Sequence, residues 1–136
     1  MKIDMLKDDH HRLIVICEKI DTFYFDKLDE SRIKDIFSLL NSFVEQLDAH
    51  LLCEDKYLYP YLINQTQTDV SRVASNFKNE MGDLYHAVEA YFSKWNFETA
   101  LVNKIAFISE LCDLMGRIRT RIRKEEAVLF PLMASS

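Results

Sequence analysis

Shifted by 71 positions, this chain lies over itself. LKDDHHRL (residues 6–13) falls on FKNEMGDL (77–84), pairing Lys7 with Lys78, Asp9 with Glu80, His10 with Met81 and Leu13 with Leu84. The same shift carries HLLCEDKYLYPYL (50–62) onto RIRKEEAVLFPLM (121–133) without a gap. It pairs His50 with Arg121, Glu54 with Glu125, Leu58 with Leu129 and Pro60 with Pro131, and further back Leu40 with Leu111. One offset holding in two distant segments means a duplicated unit of two elements, with repeat one at about 1–65 and repeat two at about 66–136.

Hydrophobic spacing says what the elements are. Ile3, Leu6, His10, Leu13, Cys17, Ile20 and Tyr24 recur every three or four residues, the signature of one buried helix face. A second seam runs through Ile33, Ile36, Leu40, Phe43, Leu47, His50, Glu54, Tyr57 and Tyr61, on a helix from about Glu30 to Asn64. A third takes Ala74, Phe77, Met81, Leu84, Val88, Tyr91 and Trp95, and a fourth Phe107, Leu111, Leu114, Ile118, Arg121, Glu125, Val128 and Leu132. Two glycines and two prolines in 136 residues leave almost nothing from which to build hairpins or phosphate-binding loops. The fold expected is all-α. The links TFYFDKLD, NQTQTD and NFETA are short, with Thr68 or Asp69 to cap the third helix and Glu98 or Thr99 near the start of the fourth. Short links favour antiparallel neighbours, so the expectation is one domain, an up-down-up-down four-helix bundle of two repeated hairpins.

Several function classes fall away. No apolar run approaches the roughly 20 residues of a membrane span, and MKIDMLKDDHH lacks the apolar core of a signal peptide, so a cytoplasmic protein is expected. A net charge of -5 argues against a dedicated nucleic-acid binder; the basic run Arg117, Arg119, Arg121, Arg123, Lys124 reads as a solvated helix face. Cys17, Cys53 and Cys112 form no CxxC pair and read as reduced thiols in or near the core. No set of Ser, His and Asp, or of Cys and His, supports nucleophilic catalysis, so no enzyme activity is expected.

The polar members of the seams remain to be explained. His50 and Glu54, four residues apart, share a helix face and can reach one point inside the bundle, where His10 from the neighbouring helix can join them. Imidazole and carboxylate are the donor types that suit iron, manganese or zinc, and a buried carboxylate requires a cation or a partner. A lone core histidine is more often simply hydrogen-bonded; three inward donors in one layer are not so readily dismissed.

DHHRL, HLLCEDKYLYPYL and the EExxLFP ending of the last helix resemble the hemerythrin-like, or HHE cation-binding, family along essentially the whole chain. That resemblance implies an antiparallel four-helix bundle around a non-haem di-iron centre that binds dioxygen, senses oxygen or nitric oxide, or handles iron. It also implies one His from the first helix of each hairpin and a His-xxx-Glu from the second, with the glutamates bridging the metals. Repeat one matches at His10, His50 and Glu54. Repeat two matches only at Glu125: Met81 and Arg121 stand where histidines are expected, and Tyr85 stands where some members carry a further His.

Arginine keeps its proton in any protein environment, so Arg121 cannot ligate a metal; it can pair with carboxylates. The second metal position is therefore expected to hold an Arg-centred ion pair, with Met81 as apolar filler. Two outcomes are open. His10, His50, Glu54 and Glu125 hold one iron or other divalent ion, with dioxygen or nitric oxide as its ligand, or the polar core is free of metal and the protein works through its surface, as a regulator or assembly partner. CEDKYLYPYL has a fainter likeness to a segment of bacterial anti-sigma-70 regulators, which suits the second outcome. His11 and His86 lie off the seam. Tyr91, Phe92, Trp95 and Phe97 offer more apolar surface than one seam buries, and either cap the bundle end or form a homodimer or partner patch.

Overall fold

The computed structural model describes residues 3–23, 27–65 and 68–135. Tyr24, with part of the first and second links, lies outside the described residues.

The described residues form an all-helical bundle. Helix α1 is Ile3–Asp21, and α2 runs without interruption through Glu30–Cys53, Glu54–Leu58 and Tyr59–Ile63. The third seam is carried by α3 (Asp69–Met81) and α4 (Leu84–Lys94). The fourth is carried by α5 (Phe97–Val102) and α6, which runs through Lys104–Lys124, Glu125–Leu129 and Phe130–Ser135. Caps set the starts: Asp29 accepts from the Arg32 N–H, Thr68 from that of Ser71, and Asn96 and Thr99 form a reciprocal capping box before α5. Helix α1 packs on α2 and α6, and α4 packs on the same two rods.

Two expected single helices are broken. Between α3 and α4 the Gly82 N–H closes the last turn on the Lys78 carbonyl at 2.8 Å, and a Cβ on Gly82 would lie 2.4 Å from that oxygen. Glycine is thus required by close approach rather than by φ. Ahead of α6, Asn103 leaves helical geometry at φ -126 and ψ 56. The α3–α4 seam stays in phase across its break, with Leu84, Val88, Tyr91 and Trp95 all buried.

The second and fourth seams do not stay in phase. The spacing turns Tyr57, Tyr61 and Val128 inward, yet they are 59%, 66% and 43% exposed, while Leu58, Tyr59, Leu62, Leu129 and Phe130 are buried. The cause is a π-helical turn in each rod, Glu54–Leu58 and Glu125–Leu129, where the Tyr59 and Phe130 N–H groups reach back five residues to Glu54 and Glu125. One extra residue in a turn rotates the remainder of the rod by about 100°. Just beyond each π turn stands a proline, Pro60 or Pro131, whose ring would press on the carbonyl four residues back in an α-helix. Widening the turn relieves that contact.

The core falls into two apolar clusters. The larger includes Leu13, Leu47, Leu51, Leu84, Ile118 and Ile122; the smaller, near one end, includes Leu6, Leu58, Leu62, Phe77, Leu129 and Phe130. Tyr91 and Trp95 are buried in the larger cluster against Phe107, and Phe92 and Phe97 pack on it. Tyr91 and Trp95 of this aromatic group thus belong to the core, and Phe92 and Phe97 lie half-buried over it. Among the described residues, no helix is long and apolar enough to cross a membrane.

Candidate metal centre

Between the two clusters lies a polar layer. Among the described residues the buried polar or charged side chains are His10, His50, Glu54, Arg121 and Glu125, each at most 4% exposed. Helix α1 brings His10, α2 brings His50 and Glu54, and α6 brings Arg121 and Glu125. Four of the five meet: one donor atom from each of His10, His50, Glu54 and Glu125 lies within 4.8 Å of the others.

The outward nitrogen of each histidine is held by a carboxylate. His10 Nδ1 is 2.8 Å from Glu126 Oε2, and His50 Nδ1 is 3.1 Å from Asp9 Oδ2. A neutral ring that donates from Nδ1 turns the lone pair of Nε2 inward, the orientation that carboxylate neighbours impose on metal-binding histidines. Both Nε2 atoms point into the layer, 3.1 Å from Glu125 Oε1 for His10 and 3.3 Å from Glu54 Oε2 for His50, with His10 Nε2 also 3.8 Å from Glu54 Oε2. None of these contacts is aligned as a hydrogen bond, so His10 Nε2, His50 Nε2, Glu54 Oε2 and Glu125 Oε1 are buried with charge contacts but no hydrogen bond. Four buried polar atoms without a hydrogen bond carry a cost that a bound cation would remove. Separations of about 3–4 Å are those of neighbouring ligands around an ion with bonds near 2 Å. The residues present fit a metal.

The other oxygens of the same two carboxylates face Arg121. Its Nη2 is 3.2 Å from Glu54 Oε1 and its Nε is 3.3 Å from Glu125 Oε2. Nη2 also donates to Asp55 Oδ1 at 2.5 Å, and Nη1 to the Met81 carbonyl at 3.4 Å, beside the break between α3 and α4. The guanidinium carbon lies 5.3 Å from the centre of the Tyr59 ring, and the Tyr59 hydroxyl donates to Glu125 Oε2 at 2.7 Å. On the opposite side, Phe130 stacks on His10 at 5.4 Å. Each carboxylate thus gives one oxygen to the arginine and leaves one for the histidine side.

These contacts divide the ionisations. Burial disfavours charge on Glu54, but His10, His50 and Arg121 outweigh it and hold its carboxyl below the usual range. Burial and the neighbouring Glu54 charge push Glu125 up to about 7, with His10 and Arg121 opposing. Burial works against a charged His10, yet Glu125 and Glu54 raise its pKa to about 10. The raised pKa favours an imidazolium at His10, whose charge offsets the carboxylates; a divalent ion held at this layer would require the neutral ring.

Other expectations resolve simply. His11 is exposed, and the His86 side chain is 84% exposed. Tyr85 packs against the larger cluster. Of the three thiols expected in or near the core, Cys17 is fully buried, with Sγ 3.6 Å from Met115 Sδ, Cys53 is half-buried, and Cys112 is exposed, one position past the buried Leu111. The basic run of α6 is more than a solvated face: Arg117 pairs with Asp83 at 2.7 Å, Arg119 with Asp21, and Lys124 with Glu80 at 2.6 Å, tying α6 to its neighbours. Sequence reasoning misses Asp9, Asp55, Tyr59 and Glu126. Tyr59 is hidden by the π turn, whereas Asp9 and Glu126 each sit beside a predicted ligand.

No curated protein and no solved structure matches the chain at a significant level. Residues 1–133 match the hemerythrin HHE cation binding domain. With the His and Glu donors gathered in one buried layer of a helical bundle, this chain belongs to the hemerythrin HHE cation-binding family.

Proposed function

We propose that this domain holds one divalent cation, iron or another first-row ion, at His10, His50, Glu54 and Glu125, and that Arg121 takes the place of a second. The observation that carries this is the split use of the carboxylates: Glu54 Oε2 and Glu125 Oε1 are buried facing the histidine Nε2 atoms without a hydrogen bond, while Glu54 Oε1 and Glu125 Oε2 engage the guanidinium. Two buried carboxylates and one guanidinium leave a net negative layer, which a divalent ion reverses and the nearby Asp9, Asp55 and Glu126 then offset. If iron is the ion, it supplies redox chemistry and affinity for a small ligand such as dioxygen or nitric oxide. The void beside the donors is ≈ 10 Å³, lined by residues such as Leu13, Leu47, His50 and Arg121, and holds about one water-sized molecule. That size suits binding or sensing rather than turnover of an organic substrate, in a single cytoplasmic domain without catalytic activity.

The protonated His10 supports the second reading, a regulatory bundle that works without metal, because an imidazolium also offsets the layer's charge. Metal content of protein grown with added iron separates the two. One ion per chain, lost on His50→Ala, supports the first; protein that takes up no iron, manganese, cobalt or zinc refutes it; two ions per chain refute the role given to Arg121.

A further inference from the structure

The duplication gives the molecule two equivalent surface grooves, and they differ. The groove between α1 and α2 is lined by Asp9, Arg12, Gln46, Ala49 and Cys53 and reaches His50, one of the four donors. Its counterpart between α3–α4 and α6 is lined by Glu80, Asp113, Arg117, Thr120 and Lys124, with Glu80, Arg117, Thr120 and Lys124 standing 71 positions after Asp9, Gln46, Ala49 and Cys53. This second groove ends on Met81 and Leu84, without touching a donor. Its mouth is bridged by Lys124 and Glu80 at 2.6 Å, whereas the position of Lys124 is filled in the first groove by Cys53, half-buried and uncharged. The positions of Arg117 and Thr120 are likewise taken by the neutral Gln46 and the smaller Ala49.

We infer that the cation of the proposed site enters and leaves through the α1–α2 groove alone. Asp9 is the stepping stone: its carboxylate is 35% exposed, pairs with Arg12 at the surface and contacts His50 Nδ1 inside. An incoming cation is drawn to that carboxylate, and swinging of the His50 ring admits it to the buried donors. The second groove offers it no such path: Lys124 and Arg117 occupy the carboxylates of Glu80 and Asp83, and the floor is the Met81 thioether and Leu84 in place of a donor. This rests on the proposed single-metal site.

The test is the kinetics of cobalt uptake, and of its removal by excess chelator, followed by absorbance of the intact chain. Cys53→Lys gives the first groove the lysine of the second; both rates fall by tenfold or more with the dissociation constant within threefold of wild type. Lys124→Cys leaves both rates within twofold. Unchanged rates in Cys53→Lys overturn the route, as does a change confined to release, which reports altered affinity, or a tenfold gain in Lys124→Cys, which reports passage through the second groove. Wild-type protein that takes up no cobalt overturns the site itself, and the route with it.

Discussion

The two halves of the polar layer solve one problem differently. Repeat one offers His10, His50 and Glu54 with Tyr59 one π turn on; repeat two offers Met81, Arg121 and Glu125 with Phe130 at the equivalent place. The offset and the π turn before each proline are shared, although the helices of repeat two are interrupted at Gly82 and Asn103 where those of repeat one run unbroken. On the proposed reading, the histidine-side oxygens of Glu54 and Glu125 take an ion that can leave, while their other oxygens meet one covalently part of the chain. A guanidinium is always charged and needs no supply, but it offers no orbital to a ligand. If the proposed cation binds, one scaffold accommodates either kind of charge, and only the exchangeable one makes the layer responsive to its surroundings.

The most severe way to break the comparison is Arg121→Leu, which leaves Glu54 Oε1 and Glu125 Oε2 without their cation. Loss of a partner from a buried pair costs about 3–5 kcal/mol, and urea unfolding of metal-free protein should show a loss of that size. Arg121→His combined with Met81→His makes repeat two resemble repeat one; metal analysis should rise from one ion per chain to two, and a stoichiometry still at one would mean that other features of repeat two exclude the metal. Asp9→Asn and Glu126→Gln disturb the orientation of His50 and His10 and should each weaken metal binding by about 10–100-fold, measured by competition with a chelator. Tyr59→Phe makes the two aromatic positions alike and removes the bond to Glu125, at a cost of about 1.5–3 kcal/mol in thermal or chemical unfolding.

Acidity sharpens the same contrast. The folded-state pKa of His10 is raised from 6.5 to about 10, so its contribution to the stability of metal-free protein is full below pH 6.5 and disappears as pH rises toward 10. Glu125, raised to about 7, acts in the same sense from about pH 4.5 to 7. Metal binding requires the neutral ring and strengthens over the interval in which His10 loses its proton. The gap in melting temperature between metal-loaded and metal-free protein should therefore widen as pH rises from 6.5 toward 10. In Arg121→Leu protein, which retains His10, the widening should persist.

Most of the site is legible because its residues sit on helical seams where an apolar side chain belongs. His10, His50, Glu54, Arg121 and Glu125 each break an otherwise hydrophobic face, and the offset of 71 explains which of them correspond. Legibility stops at the π turns. The spacing rule assumes a constant 3.6 residues per turn, so it turns Tyr57 and Tyr61 inward and Tyr59 outward; the prolines at 60 and 131 are the available warning. Asp9 and Glu126 lie about 100° from their neighbouring ligands on the wheel, and only the packing of α1 against α2 and α6 shows that they fold over the histidines. The ion pairs of Arg117, Arg119 and Lys124 likewise depend on how neighbouring rods are aligned, which no single helix's pattern specifies.

The polar layer also interrupts the hydrophobic core, with the larger cluster on one side and the Leu6, Leu58, Phe77 and Phe130 cluster on the other. Cooperativity between the two ends must pass through that layer. On the proposed single-cation reading, an ion held by donors from α1, α2 and α6 would join both ends into one cooperative block, and the amides of the smaller cluster should exchange with solvent faster in metal-free than in metal-loaded protein. Occupancy of the layer would then be legible at a distance, as the firmness of the bundle end.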